Sequence, residues 1–173
     1  MASNSFWDFS IQLYAKPGVE QACLAMQNKF GLDVNNVLFC LWHGQLYGEF
    51  PNSTLSQMIV FTNEWRTNVV QPLRSARSWM KGKENLIDAS EGSFENLRSS
   101  IKKLELQAEL LQQNQLQSLV SGMPENEVDD PNQAMLNNLQ NYLVVADLQS
   151  EQSLLTHFEV VLSALERTGD QTG

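Results

Sequence analysis

The chain has 173 residues, with 20 Asp and Glu against 11 Lys and Arg, and a hydrophobic fraction of 42% with few Gly and Pro marks it as globular rather than disordered. A formal net charge of −9 excludes general nucleic-acid affinity, which Lys and Arg drive. The longest apolar run, residues 37–42, is far short of the ~20 residues that span a bilayer, so no membrane partner is expected.

Composition divides the chain in two. Residues 1–83 hold twelve of the fifteen aromatic residues and both cysteines, with seven Lys/Arg against five Asp/Glu (+2). Residues 84–173 hold only Phe94, Tyr142 and Phe158, with four Lys/Arg against fifteen Asp/Glu (−11). The division reads as an aromatic helical module (1–83), a linker (84–93) and an acidic amphipathic arm (94–173) that folds back on the module within one structural domain.

Helix signals follow in chain order. Ser5 with Asp8 three residues on has the form of a capping box and starts a first helix that runs to about Ala15. Pro17-Gly18 punctuates the chain before a second helix, Val19–Phe30, with Gly31 placed to cap it. Asp33 opens a third helix with almost no polar face, which belongs at the centre of the core. A second capping-box spacing at Thr54 and Gln57 introduces a fourth helix, with Met58, Phe61, Trp65, Val69, Leu73, Ala76 and Met80 on one side. Pro72 either kinks this helix or breaks it near Val70-Gln71.

After the linker, Leu97, Ile101, Leu104, Ala108 and Leu111 form an apolar seam, with Leu106 and Leu110 on its back. An acidic loop over residues 122–131 carries Glu125, Glu127, Asp129 and Asp130. Met135, Leu136, Leu139, Leu143 and Ala146 mark the next helix, and Leu154, Leu155, Phe158, Leu162 and Leu165 the last, with Ser150 as a cap between them. The expected fold is an all-α helical bundle: four helices in the module and three in the arm.

The strings Phe6-Trp7-Asp8-Phe9-Ser10, Leu13-Tyr14, Pro17-Gly18-Val19, Leu32-Asp33-Val34-Asn35, Leu41-Trp42 and Val70-Gln71-Pro72-Leu73-Arg74 resemble a family of uncharacterised bacterial proteins of about this length. The resemblance covers roughly residues 5–81 and none of the chain after about residue 90. It implies a helical, cytosolic, bacterial protein and supplies no catalytic residues.

Candidate chemistry is sparse. Cys40 and His43 lie one helical turn apart, and Cys23 on the preceding helix is a third conceivable metal ligand; buried thiols and a helix-end histidine explain the same residues without a metal. Asp8, Asp33 and Glu64 are the acids of the module that could act as general acid or base, and Asp8 and Asp33 already serve helix starts. His157 has no nearby partner and reads as a helix-surface residue. No phosphate loop, dinucleotide fingerprint, nucleophile elbow or HExxH string is present. Arg66, Arg74, Arg77 and Lys81 fall within an arc of about 80° beside Trp65, and either pair with the acidic arm or bind an external anion.

These observations favour a non-enzymatic interaction or regulatory module in the cytoplasm, without a cofactor, that self-associates through Leu106 and Leu110 or meets a protein partner. The first rival is a binding protein for a small anionic ligand at the Arg stripe, with Trp42, Trp65, Arg66, Arg74, Arg77 and Lys81 as ligand residues. The second is an enzyme with an unfamiliar site around Trp42, Arg74 and Arg77.

Overall fold

A computed structural model describes residues 5–88, 90–125 and 127–169. The expected linker and acidic loop therefore each include one residue, Ala89 and Asn126, that lies outside the described set. Among the described residues the fold is all-helical, with no strand: α1 (Phe6–Tyr14), α2 (Val19–Phe30), α3 (Val34–Tyr47), α4 (Asn52–Trp65), α5 (Gln71–Met80), α6 (Ser93–Ser118), α7 (Pro131–Val145) and α8 (Gln152–Gly169). None of these helices is long and apolar enough to cross a membrane.

Several helix ends form as their residues dictate. Ser5 Oγ accepts the Asp8 N–H at 3.1 Å and donates to Asp8 Oδ2 at 2.6 Å, satisfying an orphan donor of the first turn of α1. Gly31 closes α2 at φ 69°, a left-handed conformation open to glycine. Asp33 Oδ1 accepts the Asn35 N–H at 2.9 Å to start α3. Two expected caps do not form. Thr54 lies inside the first turn of α4, because the helix already starts at Asn52 and the Thr54 N–H donates to Pro51 O. Before α8 the Leu154 and Leu155 N–H groups both donate to Glu151 O, so Glu151, not Ser150, stands at the N-cap position.

Pro72 neither stops the helix nor leaves it regular. Residues Arg66–Val70 form a π-helical turn between α4 and α5, and the Gln71 N–H donates to Arg66 O, five residues back. In a regular α-helix the Pro72 ring would meet the carbonyl of Asn68 and offer no N–H in return. The wider turn absorbs that conflict and lets the helical path run from Asn52 to Met80 without a break.

The core is centred on α3, whose residues 36–44 are all buried. Phe39 and Trp42 stack with ring centroids 5.7 Å apart, and Phe6 lies 5.2 Å from Phe39 and 5.5 Å from Trp42. The arm supplies the other side of this core. The hydrophobic cluster takes Leu116, Met135, Leu139, Tyr142, Leu143, Leu154, Phe158 and Val161 along with the aromatic residues of the first segment.

At Gly44, α3 and α7 approach each other closely. A Cβ at Gly44 would sit 2.7 Å from the Met135 backbone nitrogen, so only glycine allows this separation. Beside it the fully buried Asn138 binds three backbone groups. Its Nδ2 donates to Cys40 O at 3.2 Å and Gly48 O at 3.1 Å, and its Oδ1 accepts the Phe50 N–H at 2.8 Å.

The expected seam of α6 is rotated on the helix. Leu97, Leu104 and Leu111 are 56%, 51% and 57% exposed. The buried residues are instead Glu105, Ala108, Gln112, Gln113 and Leu116, centred about 80° further round the wheel. Leucine periodicity marks an apolar stripe but not which stripe meets the core. Here Glu105 and Gln112 are turned inward by charged and amide partners on α5 and α3.

Candidate functional site

A cleft of about 800 Å³ opens among α1, α2, α3, the π turn, α5 and α6. Trp7, Ile11 and Tyr14 of α1, Leu24 of α2 and Leu38 of α3 give it apolar walls. Arg66, Arg74 and Arg77 reach it from the π turn and α5, and Lys102, Glu105, Glu109, Gln112 and Gln113 from α6. Its floor is built by side chains that the inward rotation of α6 delivers.

Two guanidiniums and two carboxylates form its densest contact. Arg74 Nε donates to Glu105 Oε1 at 2.9 Å and Arg74 Nη2 to Glu109 Oε1 at 2.7 Å. Arg77 Nε donates to Glu105 Oε2 at 2.6 Å. Two residues of the stripe, Arg74 and Arg77, thus pair with acids of the second segment through short charge-assisted bonds, whereas Arg66 and Lys81 make no ion pair among the described residues.

The two glutamates, one turn apart on α6, respond in opposite directions. Burial works against the charged form of Glu105, but hydrogen bonds from Arg77 and Arg74 outweigh it and hold the carboxyl below its ordinary value. Burial raises Glu109, and Arg74 offsets this only in part because the charges of Glu105 and Asp33 add to the rise.

Asp33 is also raised by burial, against the hydrogen bond from Gln112 and the nearby Arg66 charge. Tyr14 is pushed up to about 12 by burial and by the neighbouring Cys23, Glu20 and Glu109. Carboxyls of divergent proton affinity in one cleft are able to hold and exchange protons with a bound molecule.

A polar network continues from this pair toward α3. Gln112 Nε2 donates to Asp33 Oδ2 at 2.8 Å, and Gln113 Nε2 donates to Asn35 Oδ1 at 2.8 Å. Gln113 Oε1 is buried without a hydrogen-bond partner. Arg66 Nη1 donates to Gly31 O at 2.9 Å, and Arg66 makes no ion pair among the described residues.

Of the residues singled out from sequence, Arg66, Arg74, Arg77, Asp33 and Leu106 line the cleft. Lys81 is exposed beyond the end of α5 and does not line it. Trp65 donates its Nε1–H to Ala108 O at 3.0 Å, so it fastens the end of α4 to α6 instead of facing the cleft. Trp42 is 2% exposed inside the aromatic core, and a side chain enclosed there reaches no ligand in the cleft.

Leu106 is 55% exposed at the cleft and Leu110 is half-buried, so the two do not make one free face. Cys23 and Cys40 are buried free thiols. Burial lifts Cys23 to about 12, and Cys40 donates to Asn138 O. His43 Nδ1 lies 2.9 Å from Gly48 O, and burial lowers the ring's proton affinity. Among the described residues no group of three or more His, Cys, Asp or Glu is placed to hold a metal ion.

Sequence reasoning missed Trp7, Tyr14, Lys102, Glu105, Glu109, Gln112 and Gln113. One signal for the α6 residues was available. Glu105, Gln112 and Leu116 share a helical face, and a polar stripe on a helix that must pack is unusual enough to mark a site.

The molecule is thus an all-helical protein with a polar, ion-paired cleft between apolar walls. The chain belongs to the family described as Protein of unknown function (DUF2390), which matches residues 5–116. No curated protein and no solved structure matches it. The family match runs past the compositional boundary at residue 83 and ends inside α6, so it includes every residue lining the cleft and leaves α7 and α8 outside.

Proposed function

We propose that the protein is a non-enzymatic binding protein for a small amphiphilic acid, a carboxylate or phosphate on an apolar body. Small-molecule sites are concave, roughly 300–1,000 Å³, and mostly apolar with a few convergent polar groups. The cleft, at about 800 Å³, has those proportions.

One observation carries the reading: Arg66 has no ion-pair partner among the described residues, beside an Arg74 whose second partner, Glu109, is raised in proton affinity. An incoming anion takes Arg66 and replaces Glu109 on Arg74 Nη2. Glu109 accepts a proton more readily than an ordinary glutamate, so it withdraws as a neutral group. Trp7, Ile11, Leu24 and Leu38 receive the apolar body. The setting we propose is a bacterial cytoplasm, supported by the sequence resemblance and by two free buried cysteines.

Thermal denaturation with octanoate, phenyl phosphate, acetate and inorganic phosphate tests this. The two amphiphilic acids should raise the melting temperature more than the two small ions, and Arg66→Gln should cancel the difference. A wild-type protein indifferent to all four ends the proposal.

An enzymatic reading is favoured by the opposed shifts of Glu105 and Glu109, an arrangement that elsewhere separates an acid from a base. Mass spectrometry of a bound acid after incubation distinguishes it: a converted compound supports catalysis, and an unchanged one supports binding.

A further inference from the structure

On the binding reading proposed above, we infer that the ligand of the cleft carries a hydrogen-bond donor, a hydroxyl or an amine, beside its acid group, and that Gln113 Oε1 accepts it. The cleft thereby selects a hydroxy or amino acid over a plain fatty acid. Among the described residues three buried side-chain atoms have no hydrogen-bond partner: Asn36 Oδ1, His43 Nε2 and Gln113 Oε1. Of these three residues only Gln113 lines the cleft, and it is 4% exposed.

This oxygen is left over by a chain of amides whose order is set at its far end. Asp33 Oδ1 accepts the Asn35 N–H at 2.9 Å and Oδ2 accepts from Gln112 Nε2 at 2.8 Å, so Gln112 turns its nitrogen to the carboxylate and its oxygen away. That oxygen accepts from Asn35 Nδ2 at 3.3 Å. Asn35 is left to offer Oδ1 to Gln113, which donates to it from Nε2 at 2.8 Å. Turning the Gln113 amide over would set two carbonyl oxygens against each other, so an acceptor stays at the end of the chain.

A buried acceptor that has lost its water and gained no donor is costly. A ligand hydroxyl or amine removes that cost, and the methylenes of a plain acid do not. Sites with a polar group waiting for its counterpart reject analogues that lack it. Glu109 and Gln113 are four residues apart on α6, neighbours on one helix face with Cβ atoms about 6 Å apart. An anion that replaces Glu109 on Arg74 therefore sits next to Gln113. The donor belongs on the first carbons after the acid, as in a 2- or 3-substituted acid.

Isothermal titration calorimetry of the full chain with octanoate, 2-hydroxyoctanoate, 3-hydroxyoctanoate and 2-aminooctanoate tests this. At least one substituted acid should bind about tenfold tighter than octanoate. In Gln113→Met that margin should vanish because the substituted acid binds more weakly, while octanoate binds at least as tightly as to the wild type, which shows the cleft intact. Octanoate binding as tightly as every substituted acid, or a margin that survives in Gln113→Met, would overturn the inference and leave the amphiphilic-acid reading standing. Binding of none of the four ends both.

Discussion

Where α3 meets α7 the interior is apolar and aromatic, and Asn138 uses its amide to tie backbone groups together. Where α6 meets α5 and α3, the inward face is Glu105, Gln112 and Gln113, with Ala108 and Leu116 as its only buried apolar residues. Burying polar groups in that number contributes little to stability, since each must first lose its water. The first region holds the fold. The second keeps ionisable and amide groups assembled at a cleft, which a design for stability alone would have replaced with leucine, and leucines are present one stripe away, facing solvent.

Substitutions in each region separate their roles. Gly44→Ala drives a methyl group to 2.7 Å from the Met135 backbone and should cost about 3 kcal/mol in urea unfolding, the upper part of the overpacking range. An ordinary loss of a few tenths would show that α7 can slide and that the crossing is not tight. Glu105→Gln leaves Arg74 and Arg77 without their shared carboxylate and should cost about 2 kcal/mol, more at low salt than at high.

At His43 the folded chain resists protonation, so as pH falls below 6.5 the unfolded chain takes up a proton that the folded one refuses and stability drops. Asp33 and Glu109 act in the opposite sense, because their raised values make the folded chain the better proton binder and their contribution grows as pH falls. Unfolding of wild type and His43→Phe from pH 7 to about pH 5 separates the two: the variant should lose the downward trend below 6.5. The smallest effect belongs to Gln113→Met, since Gln113 Oε1 has no partner to lose and only the bond to Asn35 disappears. Its cost should be under about 1 kcal/mol, while the response to octanoate changes.

The helical class and the central position of α3 were legible because local chemistry and apolar density agree there. Ser5, Gly31 and Asp33 act where their residue types predict, and α3 has no polar face to misplace. Charge alone left the arginine stripe two partners, the acidic segment or an external anion, and Arg74 and Arg77 take the first while Arg66 does not. What stayed hidden depended on partners far away in sequence. The Asn138 bonds span 88 to 98 residues, and nothing near Asn138 marks it. The orientation of α6 was misread because leucines at seven-residue spacing suggested the buried side, whereas Arg74, Arg77 and Asp33 turn the polar stripe inward. Thr54 and Ser150 carried capping signals that neighbouring backbone carbonyls made unnecessary.

Composition places the boundary of the aromatic part at residue 83, whereas packing joins α7, beyond that boundary, to α3. Native-state hydrogen exchange tells these divisions apart most directly. We predict that amides of residues 139–143 in α7 exchange only with global unfolding, as those of residues 37–41 in α3 do, while residues 102–108 in α6 exchange at least about tenfold faster through local opening. Exchange in α7 as fast as in α6, with α3 alone protected, would contradict this account and return the boundary of stability to residue 83.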